Sequence, residues 1–113
     1  LDGLAARFGL AGAALGEVAG GAVLKHSRDR DLTREAVLGS RLSPYTPAYD
    51  VQQACGTGLE TAVLVANKIA LGQIESGIAG GVDTTSDAPL AVGDDLRRAL
   101  IGLNSARTVG DRL

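Results

Sequence analysis

The sequence predicts an α/β domain in which helices surround a mixed, mostly parallel sheet. Two observations support this fold class. Short apolar runs alternate along the chain with segments that have helical character, and Gly or Pro stands at most of the boundaries between them. A length of 113 residues suits one domain with a modest hydrophobic core.

The first three predicted elements are a helix, a strand and a second helix. Asp2–Phe8 is typical of the end of a helix that Gly9 closes. Glu17–Leu24 is a short apolar run with small residues, which predicts a strand despite its two glycines. Leu32–Leu38 predicts a helix that has Asp31 as its N-cap and a glycine just past its end.

The remaining elements continue the alternation. Ala48–Gln53 predicts an edge strand, because Pro47 precedes it and polar side chains alternate along it. Gly56–Leu71 is the strongest helix prediction, and its centre is apolar on almost every face, so we expect it to be buried between layers. Ser76–Val82 predicts the next strand, and Asp94–Ile101 a last amphipathic helix.

Composition and charge exclude several classes of function. A formal net charge of −2 gives no reason to expect nucleic acid or an anionic membrane as a partner. No apolar stretch approaches the roughly 18 residues that a membrane span needs. A single cysteine excludes an internal disulfide and a cysteine-cluster metal site, and it fits the reducing cytoplasm, where we expect the protein to act.

The one cysteine, Cys55, lies where the predicted edge strand meets the strongest helix. The N–H groups and positive dipole end of that helix favour a thiolate over a thiol. Gly56 and Gly58 remove side chains around the sulfur, so that backbone donors and a bulky substrate can approach. The N–H of Cys55 itself points to where an oxyanion would form on an attacked carbonyl. A lone cysteine among Ala and Gly is also typical of a small buried hydrophobe, and sequence physics leaves the two readings about equally weighted.

Three segments in one order resemble the thiolase family. Ala54–Leu59, with the letters ACGTGL, resembles the family's nucleophile motif, usually Cys-Gly-Ser-Gly-Leu. Ala79–Pro89 resembles its Ala-Gly-Gly-x-Glu-x-Met-Ser-Asn-Ala-Pro segment. Gly21–Leu24 followed by Leu32–Leu38 is similar to its Gly-x-Val-x and (Ala/Thr)-Arg-x-Ala-x-Leu stretches. The sequence is therefore identified as a thiolase-like chain, with a partial thiolase fold that is incomplete at both ends.

Four positions depart from the family's usual residues. Thr57 stands for Ser, Asp83 for the usual Glu, Thr85 where Met is common near the acyl pocket, and Gln52 where many members carry Asn. The changes leave the nucleophile in place but bear on which acyl chain is preferred.

The resemblance implies an acyl-CoA C-acyltransferase that cleaves 3-ketoacyl-CoA with CoA, or condenses two acetyl-CoA, through an acyl thioester on Cys55. It assigns the Cys55 N–H to the oxyanion hole and Gly56, Gly58 and Thr85 to substrate binding. Coenzyme A is a substrate, and no bound cofactor or metal is implied. A homodimer or tetramer is implied, joined through the Ala48–Gln53 edge strand.

The resemblance also divides the chain. Residues 1–93 correspond to part of the N-terminal thiolase domain and 94–113 to the start of the family's loop domain. The family's second Cys, its general acid/base, and its Gly-His-Pro are absent from this sequence. The only histidine, His26, falls in a loop and is expected on the surface. We therefore expect an internal fragment that is inactive alone.

Two rivals remain at this stage. A ketoacyl-synthase-like condensing enzyme has the same fold, but its Cys is usually followed by Ala- and Ser-rich residues rather than Gly-x-Gly. The second rival is a non-catalytic α/β fragment in which Cys55 only packs.

Overall fold

The computed structural model describes residues 1–26 and 29–105. They form three strands and four helices, numbered in chain order. The strands are β1 (Glu17–Gly20), β2 (Ala48–Asp50) and β3 (Gly77–Ala79). The helices are α1 (Asp2–Phe8), α2 (Leu32–Leu38), α3 (Thr57–Ala70) and α4 (Asp94–Ser105). Every predicted element is present, and the α/β class is confirmed.

The sheet has the order β2-β1-β3, and both of its strand pairs are parallel. Val18 of β1 pairs with Ala48 on one side and with Ile78 on the other. Parallel neighbours require a crossover, which α2 makes between β1 and β2 and α3 makes between β2 and β3. The carboxyl ends of all three strands consequently meet at one edge of the sheet.

The two crossover helices lie on opposite faces of the sheet. A side chain placed on Gly20 of β1 would meet Thr33 of α2. A side chain placed on Gly77, which pairs with Glu17 of β1, would meet Val65 of α3. Since Glu17 and Gly20 differ by an odd number of positions, their side chains point to opposite faces. The hydrophobic core lies on the α2 face and consists of Ala5, Leu15, Val18, Val37 and Leu42.

The strands are shorter than predicted. β1 ends at Gly20 rather than Leu24, and β2 ends at Asp50 rather than Gln53. Beyond Gly21 the backbone of the first strand is no longer bonded to a neighbouring strand. The N–H groups of Val23 and Leu24 donate instead to the side chain of Asp83.

The predicted burial of α3 is wrong for this chain. Only one face of the helix is buried, and it carries Thr57, Thr61 and Val65. Leu59 and Val63 on the rest of the helix are exposed to 74% and 45%. The described residues supply one layer for α3 to pack on, the sheet, so its second apolar face has no partner among them.

Asp31 stands at the N-cap position of α2, as predicted, but another residue supplies the capping bonds. Asp31 makes no side-chain hydrogen bond to the helix. The carboxylate of Asp50, from β2, accepts the N–H groups of Leu32 at 3.1 Å and Thr33 at 2.8 Å and also bonds Lys25. Burial raises the pKa of Asp50, but the hydrogen bonds from Thr33 and Lys25 outweigh it and hold that pKa below its ordinary value. The cap comes from a residue distant in sequence, which local pattern does not reveal.

Candidate active site

The turn that carries Cys55 lies between β2 and α3, at the carboxyl edge of the sheet. Ala54 has a φ of 44°, an uncommon left-handed conformation for a residue with a side chain. The N–H of Gly56 donates to the Gln53 carbonyl at 3.0 Å, and that of Thr57 to the Ala54 carbonyl at 3.1 Å. These bonds fold the chain tightly just before the helix. The Cys55 thiol is exposed on this turn.

Thr57 ties the turn together from its buried side. Its hydroxyl donates to the Ala54 carbonyl at 2.7 Å and accepts the N–H of Gln53 at 2.9 Å. The side chain thus bonds the residues before Cys55 and begins the helix after it, while it is only 4% exposed. Sequence reasoning treated Thr57 only as a mild replacement for Ser. The signal that could have identified it is a hydroxyl residue at the first position of the helix.

Glycines let three backbone segments converge beside the Cys55 turn. A side chain on Gly21, just after β1, would lie 2.1 Å from the Val51 carbonyl oxygen. Gly58 at the start of α3 and Gly81 after β3 also face each other, since a side chain on Gly81 would meet the Cα of Gly58 at 3.4 Å. Gly21 and Gly81 were not predicted as site residues, although paired glycines at the ends of two parallel strands were a signal for them.

A cavity of about 240 Å³ opens at this junction. Backbone, small side chains and one carboxylate line it: Gly21, Val23, Ala54, Cys55, Thr57, Gly58, Gly81, Val82 and Asp83. Such a position, outside the carboxyl ends of parallel strands, is where open α/β sheets commonly bind ligands. The lining brings Cys55 together with Gly58.

The other predicted substrate-binding residues are placed less centrally. Gly56 adjoins Cys55 in the turn, with a φ of −86° that other residues also adopt, and it is not among the cavity's lining residues. Thr85 is exposed in the segment after β3 and does not line the cavity either. Its neighbour Thr84 lines a separate cavity of about 170 Å³. The assignments of Gly56 and Thr85 stay predictions.

Asp83 is a site residue that sequence reasoning noted only as a departure from Glu. Its carboxylate accepts the N–H of Val23 at 3.0 Å and of Leu24 at 2.9 Å. Hydrogen bonds from the backbone of Leu24 and Val23 hold the pKa of Asp83 below its ordinary value. His26, which was expected on the surface, is half-buried and lies outside the Cys55 cavity. Its Nε2 contacts the backbone oxygen of Asp87 at 2.7 Å.

Residues 1–26 and 29–105 contain no group of His, Cys, Asp and Glu side chains arranged to hold a metal ion. Within the same residues, no helix has both the length and the apolar character needed to cross a bilayer.

Comparison with known proteins gives one family. Residues 1–110 match the model of the thiolase N-terminal domain. The 3-ketoacyl-CoA thiolase of Escherichia fergusonii is 39% identical over 110 residues, which are 97% of this chain and 25% of that protein. The enzyme of the same name from Shewanella oneidensis is 44% identical over 93 residues, 82% of this chain and 21% of that protein.

A solved structure agrees. The crystal structure of the Bacillus anthracis acetyl-CoA acetyltransferase superposes with a TM-score of 0.72 at 26% sequence identity, over 80% of this chain and 23% of that one. This chain spans about a quarter of the length of the curated relatives that it matches. The family model matches almost the whole length of the chain, and the fold is the parallel α/β arrangement of the solved relative, with an exposed cysteine at the carboxyl edge of its sheet. The chain therefore belongs to the thiolase family.

Proposed function

We propose that Cys55 is the acyl-carrying nucleophile of an acyl-CoA C-acyltransferase of the thiolase type. The observation that carries the proposal is the position of Cys55, whose exposed thiol lines a cavity where the three strand ends and the start of α3 converge. A cysteine that served only to pack would be buried, so the exposure of Cys55 weighs against the non-catalytic reading.

The proposed reaction proceeds in two acyl transfers. The thiolate of Cys55 attacks the 3-keto carbonyl of a 3-ketoacyl-CoA, the bond between the second and third acyl carbons breaks, and acetyl-CoA leaves after its carbanion takes a proton. Free CoA then attacks the thioester on Cys55 and carries the acyl group away. The reverse sequence condenses two acetyl-CoA. The N–H of Cys55 is proposed to stabilise the oxyanion in each step.

Coenzyme A is therefore proposed as a substrate rather than a bound cofactor. Gly56, Gly58 and Thr85 are proposed to contact the substrate, of which Gly58 lines the cavity. Residues 1–93 are proposed as part of the catalytic domain and 94–113 as the start of a loop domain, whose residues 106–113 lie outside those that the structure describes. The cytoplasm is proposed as the compartment, with a role in fatty acid metabolism.

The first test is the covalent intermediate. A complete thiolase polypeptide that contains this segment is incubated with acetoacetyl-CoA, and its mass is measured. We expect an acetyl adduct on Cys55, and we expect Cys55→Ala to abolish both the adduct and acyl transfer. Because Cys→Ala removes only one sulfur atom, the change in unfolding free energy should stay at or below about 1 kcal/mol. An acyl adduct on another residue of Cys55→Ala would refute the assignment.

The chain alone is proposed not to turn over, since the acid/base Cys and the Gly-His-Pro that the resemblance implies are not in its sequence. An assay of the purified chain with acetoacetyl-CoA and CoA checks this. Turnover above that of Cys55→Ser would contradict it.

A two-fold assembly through residues 48–53 is also proposed. β2 stands at an edge of the described sheet, and an edge strand can pair with an identical strand about a two-fold axis. The Val51 N–H donates to the Gly20 carbonyl at 2.8 Å, so it faces β1. Because successive residues of a strand direct their N–H groups to opposite sides, the N–H of Ala48 faces away from β1 and is available to a partner strand. In the complete polypeptide, light scattering should show monomers for Ala48→Pro and an intact assembly for Ala48→Ser. A dimeric Ala48→Pro variant would place the interface elsewhere.

A further inference from the structure

The segment Ala22–Leu24 forms a wall between the two cavities beside the Cys55 turn. Val23 lines the cavity that contains Cys55, whereas Ala22 and Leu24 line the neighbouring cavity of about 170 Å³. Val82 and Asp83, which follow β3, line both cavities. The placement of this thin segment therefore sets how wide the Cys55 cavity is on that side.

Side chains, rather than a strand ladder, hold the wall in place. The last backbone bonds between β1 and its neighbours stop at Gly21, whose carbonyl accepts the N–H of Val82 at 3.0 Å. Beyond it, Asp83 accepts the N–H groups of Val23 and Leu24, and the amide of Gln52 donates to the Val23 carbonyl at 3.2 Å. A carboxylate that accepts two adjacent N–H groups forms charge-assisted bonds, which are stronger than the single neutral bond from Gln52.

We propose that Asp83 is a positioning residue that sets the acyl-group selectivity of Cys55 by fixing the Ala22–Leu24 wall of its cavity. The inference rests on the proposed function, because it concerns the group that Cys55 takes up. Asp83 acts through the wall: its two hydrogen bonds to the wall decide how closely Val23 approaches the space next to the sulfur. A glutamate at position 83 offers the same two acceptor oxygens, so it can keep both bonds and hold the wall in place.

The test uses the thiol itself, which is the only one in the chain. Rates of alkylation of Cys55 by iodoacetamide and by N-hexyl-iodoacetamide are measured by intact mass. Their ratio cancels the fraction of thiolate, since both reagents attack the same thiolate. The ratio therefore reports access to the cavity and not the ionisation of Cys55. A variant that is less stable but still mostly folded should give the same ratio unless the cavity itself has changed.

Asp83→Ala removes both bonds to the wall, and Asp83→Asn keeps the size of the side chain while replacing one acceptor with a donor. We expect each to change the hexyl-to-parent rate ratio about five-fold or more, within the range by which an apolar pocket discriminates between chains of different length. Asp83→Glu should keep the ratio within roughly two-fold of the wild-type value, because both acceptor oxygens are retained. Asp95→Ala removes the same charge from the exposed helix α4 and should leave the ratio unchanged.

Thermal unfolding of each variant accompanies the rates, and Asp83→Asn supplies the result if Asp83→Ala does not fold. An unchanged ratio in a folded Asp83→Asn would overturn the inference, and so would a ratio in Asp83→Glu that changes as much as it does in Asp83→Asn. The ratio is defined for any accessible thiol, whether or not it is acylated. An absent acyl adduct on Cys55 would therefore refute the proposed function without deciding the role of Asp83. An unchanged rate ratio would refute the role of Asp83 without deciding the proposed function.

Discussion

The two helices that cover the sheet are held by different kinds of contact. On the α2 face, Val37 is fully buried against a cluster of apolar side chains that includes Val18 and Leu42. On the α3 face, the buried helix residues are Thr57, Thr61 and Val65, and the strands opposite contribute glycines. Polar contacts also join α3 to the sheet.

Two polar contacts on the α3 face show how closely this helix approaches. The hydroxyl of Thr61 donates to the Gly58 carbonyl at 2.8 Å and approaches the Gly80 carbonyl at 3.3 Å. At the far end of the helix, Lys68 pairs with the buried Glu17 of β1, whose carboxylate also accepts the Tyr49 hydroxyl at 3.0 Å. Hydrogen bonds have fixed lengths and directions, whereas apolar contacts tolerate small shifts.

The two faces therefore contribute differently to the molecule. The α2 face supplies burial of apolar surface, the main source of stability. The α3 face supplies a fixed position for the helix start and therefore for the Cys55 turn. Substitutions on the α2 face should change stability alone, and substitutions on the α3 face should change the reactivity of Cys55 as well.

The largest expected effect is that of a methyl group at Gly21. Gly21→Ala puts a Cβ 2.1 Å from the Val51 carbonyl oxygen and 2.8 Å from the Thr57 side chain, in a place where backbone cannot move aside cheaply. We expect a loss of unfolding free energy of about 3 kcal/mol or more, together with displacement of the Cys55 turn. Urea unfolding and the rate of alkylation of Cys55 measure the two effects.

Gly80→Ala is the matched control for Gly21→Ala. Gly80 stands just after β3, near the same edge of the sheet, and a Cβ there meets no atom within 4 Å. We expect a change of less than about 1 kcal/mol in either direction. Equal losses in the two variants would mean that glycine flexibility, and not the close approach of the backbones, explains the requirement.

The features that could be predicted from the sequence are those that depend on residues close together along the chain. The elements were predictable because their apolar periodicity and terminal glycines are local, and α1, α2 and the start of β1 agree with the structure to the residue. The position of Cys55 at a strand–helix junction was predictable, because the strand pattern ends before it and Gly56 and Gly58 follow it, while its catalytic role stays a prediction. The cap by Asp50, the wall held by Asp83 and the contact of Gly21 with Val51 join residues distant in sequence, and no local pattern encodes them.

The second prediction concerns the Thr57 hydroxyl and separates its effect on stability from its effect on the position of the Cys55 turn. Thr57→Val keeps the shape of the side chain but removes the hydroxyl that bonds the Ala54 carbonyl and the Gln53 N–H. We expect a loss of about 2 kcal/mol, because two partly buried hydrogen bonds worth about 1 kcal/mol each are removed, and a change of several-fold in the alkylation rate of Cys55. Thr57→Ser keeps the hydroxyl and should retain the rate.

Val37→Ala is the stability control for Thr57→Val. It removes two buried methyl groups from the α2 face and should also cost about 2 kcal/mol. We expect its Cys55 to react at the wild-type rate. A parallel change in Cys55 reactivity in Val37→Ala and Thr57→Val would show that the two faces do not differ in the way inferred.

The smallest expected effect tests whether charge also holds α2. Asp50→Asn weakens the bonds to the N–H groups of Leu32 and Thr33 and the ion pair with Lys25, and should cost about 1 kcal/mol at neutral pH. Because the pKa of Asp50 is lower in the folded state than in the unfolded one, its contribution is present above the ordinary Asp pKa of 3.8 and is lost as pH falls below that value. The wild type should therefore lose more stability on acidification than Asp50→Asn, when urea unfolding is compared at neutral pH and at about pH 3. Asp31→Asn changes the residue that the sequence pattern favoured as the cap, and since Asp31 makes no capping bond, its effect should be close to zero. If Asp31→Asn were as costly as Asp50→Asn, the cap would be local, and the bonds from Asp50 to the start of α2 would contribute little.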